Sequence, residues 1–114
     1  MMKKLVGLIG VCILVIACGS VKLATPTQVD VDRVKSDNPE YTLEKLKEGQ
    51  ALYVANCGSC HGLKDPTGYT PDQWAKIVPK MVGMVNKNEV KLDENAQTLI
   101  LNYVTTMGTA GSGN

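Results

Sequence analysis

Near the C-terminus, Ala96, Leu99, Ile100, Tyr103, Val104 and Met107 recur at i, i+3, i+4, i+7, i+8 and i+11. That spacing puts every one of them on one face of an α-helix. Asp93 supplies an N-cap and Gly108 a stop, so the pattern predicts a helix from Asp93 to about Met107. A weaker period lies over Thr42 to Ala55, where Leu43, Leu46, Gln50 and Tyr53 trace one face. Thr42 is its N-cap, and Gly49 falls in its interior. An interior glycine costs ~1 kcal/mol relative to alanine, which points to a close neighbour at that position. Between these two, Thr70-Pro71-Asp72-Gln73 reads as a capping box with proline at the first helical position. The helix it opens carries Trp74, Ile77 and Val78, and Pro79 is expected to end or kink it. No run alternates long enough to make a convincing strand. The fold class expected is all-α.

The first residues follow a different pattern. Met1-Met2-Lys3-Lys4 is basic, and the apolar run from Leu5 to Ile16 is interrupted by Gly7 and Gly10. A spanning helix needs ~20 apolar residues, so this run is too short and reads as a cleaved export signal. Its end, Val15-Ile16-Ala17-Cys18-Gly19, resembles a bacterial lipobox, which makes residues 1–17 the signal and Cys18 an acylated N-terminus. An ordinary signal with a chance cysteine is the alternative. Residues 18–40 are then the lipidated end and a polar tether, with Pro26, Pro39 and only a brief alternation at Gln28–Asp32. As a coil such a tether spans roughly 25 Å. The compact domain is expected over residues 41–107 and a fraying tail over 108–114.

Composition narrows the class. Removal of Lys3 and Lys4 with the signal leaves ten basic against eleven acidic side chains, and so balanced a charge gives no basic surface for nucleic acid. Phe is absent and aromatics make up 4% of the chain, so Leu, Val, Ile, Met and a few Tyr must form the core. A domain of about 67 residues usually needs a staple such as a disulfide, a metal or a bound cofactor. Of four cysteines, Cys12 leaves with the signal and Cys18 is assigned to lipid.

The remaining pair stands in Cys57-Gly58-Ser59-Cys60-His61, and C-x-x-C-H is the attachment signature of c-type haem. Two thiols three residues apart can reach the two vinyl groups on one porphyrin edge, and the histidine after them can bind iron. Gly58 and Ser59 let the backbone lie close to that edge. A structural zinc site needs four ligands, yet no cysteine follows Cys60 and His61 is the only histidine. A thioredoxin-like site needs a βαβ pattern that is missing. The cofactor expected is one covalent haem c, bound through Cys57 and Cys60 with His61 on the iron. A single histidine rules out bis-histidine ligation. The sixth ligand is then sought among Met81, Met84 and Met107, with Met107 on the apolar face of the last helix as a core residue. Met81 and Met84 stay open, each able to fill core instead. A five-coordinate iron is the remaining case.

On these residues the chain resembles class I, monohaem bacterial cytochromes c. Gly49-Gln50-Ala51-Leu52-Tyr53-Val54-Ala55-Asn56-Cys57-Gly58-Ser59-Cys60-His61-Gly62 is similar to that family's first helix and haem-attachment segment. Leu92-Asp93-Glu94 through Tyr103-Val104 is similar to its last helix. The resemblance implies a small cytochrome c fold, three to four short helices around one haem. It implies a close crossing of the first and last helices, with Gly49 on one against Tyr103 on the other. Trp74 followed seven residues later by Met81 resembles small haem domains with a Trp-x6-Met ligand stretch, which favours Met81 over Met84 and departs from the commoner Met-Pro loop. It also suggests Trp74 as a haem-pocket residue, either donating its indole N–H to a propionate or packing in the core.

The expected function is single-electron transfer with no substrate turnover, since histidine and methionine together fill both axial positions and raise the potential. Redox proteins are the expected partners, with a monomer or a subunit of a redox complex at the periplasmic side of a bacterial membrane, held by lipid. The alternatives are a haem-based module that binds a small gas or anion, and a haem subunit of a larger oxidoreductase.

Overall fold

The computed structural model describes residues 22–57, 63–88 and 91–110, and all regular structure in them is helical. The order is α1 (Gln28–Arg33), α2 (Leu43–Asn56), a 3₁₀ turn (Pro66–Gly68), α3 (Pro71–Val85) and α4 (Glu94–Gly108). Among the described residues no helix is long and apolar enough to cross a membrane.

Each long helix starts where a side chain satisfies its first free N–H groups. Thr42 accepts from Lys45 N, Thr70 from Gln73 N and Asp93 from Ala96 N. At Thr70 the box is reciprocal, because Gln73 Oε1 accepts from Thr70 N at 2.9 Å. Such caps contribute about 1 kcal/mol apiece. Pro79 neither ends nor breaks α3, which runs on to Val85. Its ring lies on the exposed side and removes one backbone bond there. On the opposite side Trp74, Val78 and Val82 are buried. Burial of each such side chain contributes ~1.5–3 kcal/mol, enough together to offset a helix proline at about 3 kcal/mol.

α4 is the centre of the domain. Leu99, Ile100, Tyr103, Val104 and Met107 are all buried on it, and α2, α3 and the 3₁₀ turn each pack against it. α2 and α3 make at most a marginal backbone contact with one another; between them the side chains of Tyr53 and Trp74 meet edge to face, ring centroids 6.1 Å apart. Where α2 crosses α4, Gly49 is the point of closest approach. A Cβ there would stand 2.8 Å from Tyr103 Cβ and would overlap the Leu99 carbonyl oxygen. The helix-destabilising glycine is thus what lets the two helices touch.

The segment expected as a free tether is bound to the domain from Leu23 onward. Thr27 donates its N–H and its hydroxyl to the Asp30 carboxylate, starting the short α1. Val31 is 0% exposed in the core. Arg33 forms an ion pair with Asp30 at 3.0 Å and donates to Thr106 O at 2.8 Å and Thr109 Oγ1 at 3.1 Å. Its guanidinium therefore reaches a carbonyl in the last turn of α4, Thr106 O, which also accepts from Thr109, at a helix end where a cation is favoured. Gln50 Nε2 donates to Ala24 O, fixing the strap further upstream. A single buried valine and an arginine reaching the helix end convert a polar stretch into a packed strap. The C-terminal boundary shifts as well, since Gly108 closes against Pro66 and Thr109 accepts from Arg33; the rest of the tail expected over 108–114 lies outside the described residues.

Candidate functional site

α2 delivers Cys57 to the site. Cys57 is its C-cap, its N–H bonded to Tyr53 O at 2.9 Å, and its half-buried side chain packs against the core. Burial pushes the thiol up to about 11. A surrounding that disfavours a thiolate does not disfavour a thioether, which has no proton to lose and no charge to solvate. Cys60 and His61 lie outside the described residues, as does Cys18. Just beyond them, Lys64 O accepts the Tyr53 hydroxyl at 2.6 Å. The two ends of the attachment segment are therefore both tied to the last turn and a half of α2.

α3 carries the two candidate methionines, Met81 and Met84. Ile77, Met81 and Val85 follow each other at i, i+4 and i+8, all half-buried and packed against the core. They form an apolar row along α3 that α4 does not fully cover, with a thioether sulfur at its middle. Met84 lies to one side of that row and is 47% exposed. Continuation of the helix through Pro79 separates the two methionines in this way; a break there would have left both free to turn inward. Met107 is 4% exposed in the core.

Trp74 is 1% exposed, and its indole N–H donates to Pro66 O at 2.8 Å. A buried indole N–H needs an acceptor, and the 3₁₀ turn presents one. That turn is held by Asp65, which caps it by accepting from Thr67 N at 2.9 Å. Tyr69 packs edge-on against Trp74 at 5.0 Å, and Tyr103 lies 5.5 Å from Tyr53. Gln50 Nε2 reaches the Tyr103 hydroxyl at 3.2 Å. Burial raises the phenol pKa values of Tyr53 and Tyr103. Tyr53 and Pro66 join the site through the fold, without having stood out in the sequence as site residues. Signals for both exist there: Tyr53 is on the helical face four residues before Cys57, and Asp65-Pro66-Thr67-Gly68 carries a turn signature.

The donor chemistry suits a covalently held haem. A half-buried thiol ends α2, a second thiol and the single imidazole follow it in sequence, and a half-buried thioether sits in an apolar row on α3. A small helical domain so equipped belongs to the c-type haem proteins. The family model described as Cytochrome c matches residues 46–109, more than half of the chain. The protein is a member of the class I cytochrome c family, whose domains carry covalently attached haem c and serve haem-based electron transfer. Curated proteins and solved structures give no significant match.

Proposed function

We propose that this protein is a lipid-anchored electron carrier on the periplasmic side of a bacterial membrane, with one haem bound through Cys57 and Cys60 and ligated by His61 and Met81. The observation that supports this reading most is the difference between the two methionines. Met81 is in the inner row of α3, flanked by Ile77 and Val85, whereas Met84 is turned to solvent. The haem supplies one-electron cycling of its iron.

The chain's own residues hold and shield that centre. Cys57 is fixed by the end of α2, and the Tyr53–Lys64 bond closes the far side of the attachment segment. Ile77 and Val85 flank Met81 with apolar surface, which favours retention of a neutral thioether as a ligand. Trp74, locked to Pro66, fixes α3 on the domain and so fixes the height of Met81. A ligand on a continuous, packed helix moves little when the iron changes charge, and small rearrangement suits electron exchange over ligand capture.

Carbon monoxide distinguishes a carrier from a small-ligand module. The reduced protein is expected to bind CO slowly or not at all, while exchanging electrons rapidly with a small redox mediator. Fast CO binding by the wild-type protein would overturn the carrier reading and favour a binding module. Stoichiometric co-purification with an oxidoreductase from membranes would assign the carrier to a complex.

A further inference from the structure

The strap changes where the domain sits. With Cys18 as the lipidated residue, only residues 19–22 stand between it and Leu23, which packs against the core. Five Cα steps reach at most ~18 Å whatever their conformation. A free coil through residue 40 would span roughly 25 Å and leave the domain free to turn. Here the domain is held at one place on its surface, close to the bilayer.

That place is apolar and concave. Lys22, Leu23, Ala24 and Thr25 form one wall of an open groove of about 390 Å³. Asp65, Pro66 and Thr67 form the other, and Tyr103, Met107 and Ala110 of the α4 end make the floor. Lys22 and Asp65 cancel in charge, so the short link to the acyl chains and the apolar rim of Leu23 and Ala24, not electrostatic attraction, must hold the face down; Pro66, Tyr103 and Met107 are buried beneath that rim.

We propose that this groove face rests on the lipid surface that holds the acyl chains of Cys18, so that the anchor orients the domain as well as retaining it. The inference rests on the lipidation of Cys18 in the proposed function. No residue of α3 or of the turn after it lines the groove, so Lys87, in that turn, serves as the label outside it.

The experiment uses the full-length, haem-loaded lipoprotein in phosphatidylethanolamine/phosphatidylglycerol vesicles. Spin labels are placed singly through Ala24→Cys, Thr67→Cys and Lys87→Cys, and their collision rates with a water-soluble nickel complex are compared with those of the unlipidated Cys18→Ala protein in solution. Labels at 24 and 67 are expected to lose collisions several-fold on vesicles, while the label at 87 is unchanged. Equal accessibility at all three positions on vesicles would overturn the proposal, because the domain would then tumble on its anchor. Protection of 24 and 67 already in the unlipidated protein would overturn it too, since the chain's own tail or a second copy would then cover the groove. The intact mass of the mature N-terminus separates the two layers. An unacylated Cys18 removes the lipid reading itself, whereas an acylated Cys18 with exposed labels defeats only the orientation.

Discussion

Replacing Gly49 with alanine sets two effects of opposite sign against each other. Alanine is the better helix former by ~1 kcal/mol, so in an open helix the change stabilises. At position 49, however, the new methyl would lie 2.8 Å from Tyr103 Cβ and nearer still to the Leu99 carbonyl oxygen, where carbon contacts are optimal at ~3.5–4.0 Å. Neither obstacle is the tip of a flexible side chain, so the α2–α4 crossing itself must open by on the order of 1 Å. Overpacking of this kind costs about 1–3 kcal/mol, and backbone obstacles put it at the upper end. The net expectation is a destabilisation of about 1–2 kcal/mol, or a fall in Tm of roughly 4–16 °C for a domain of this size. Gly83 is the internal control. It lies in α3, and a Cβ added there would meet nothing within 4 Å, so Gly83→Ala keeps only the propensity gain and raises Tm. Thermal unfolding of the haem-loaded proteins, followed by far-ultraviolet circular dichroism, reads both. A Gly49→Ala protein more stable than wild type would refute the close crossing, because the propensity gain would then stand unopposed.

Three further outcomes follow from the same packing. The buried Tyr41 hydroxyl makes no well-formed hydrogen bond among the described residues, so Tyr41→Phe is expected to stabilise by on the order of 1 kcal/mol, measured by urea unfolding; a loss of stability would show that the hydroxyl is paired. Burial pushes the Tyr41 phenol up to about 12, with the neighbouring Thr106 hydroxyl opposing the rise only in part, and Tyr53 and Tyr103 shift in the same direction. The folded state then holds protons that the unfolded chain loses near pH ~10. Stability should be level below pH ~10 and fall as the pH rises through about 12, with late phenolate absorbance; early ionisation of all the tyrosines would contradict it. Arg33→Ala removes two hydrogen bonds to the end of α4 and the Asp30 pair. It is expected to speed amide exchange over residues 24–34 well before it affects α2 or α4, and uniform exchange across the chain would contradict the strap.

The long helices are legible in the sequence because each announces itself locally. The six-position apolar stripe of α4, the Thr70 box and the Asp93 cap are patterns within a few residues. What escapes depends on contacts between distant parts of the chain. Val31 is one apolar residue among charges, and its burial follows from Arg33 reaching the α4 end more than seventy residues away. Pro79 signals a break by its own geometry, and only the buried row of Trp74, Val78 and Val82 carries the helix past it. Trp74 signals a polar partner for its N–H, but nothing in its neighbours names Pro66 as the acceptor. At the site, the spacing of Cys57, Cys60 and His61 carries the chemistry unaided, and the fold adds the difference in exposure between Met81 and Met84.

Met81 is proposed as the sixth ligand of a closed, electron-carrying haem. The most direct test is the long-wavelength methionine–iron charge-transfer band of the ferric protein, recorded for wild type, Met81→Ala and Met84→Ala. The band should be present in wild type and Met84→Ala and lost in Met81→Ala, which should also gain rapid CO binding when reduced. A band that survives in Met81→Ala, or one already absent from wild type, would contradict it.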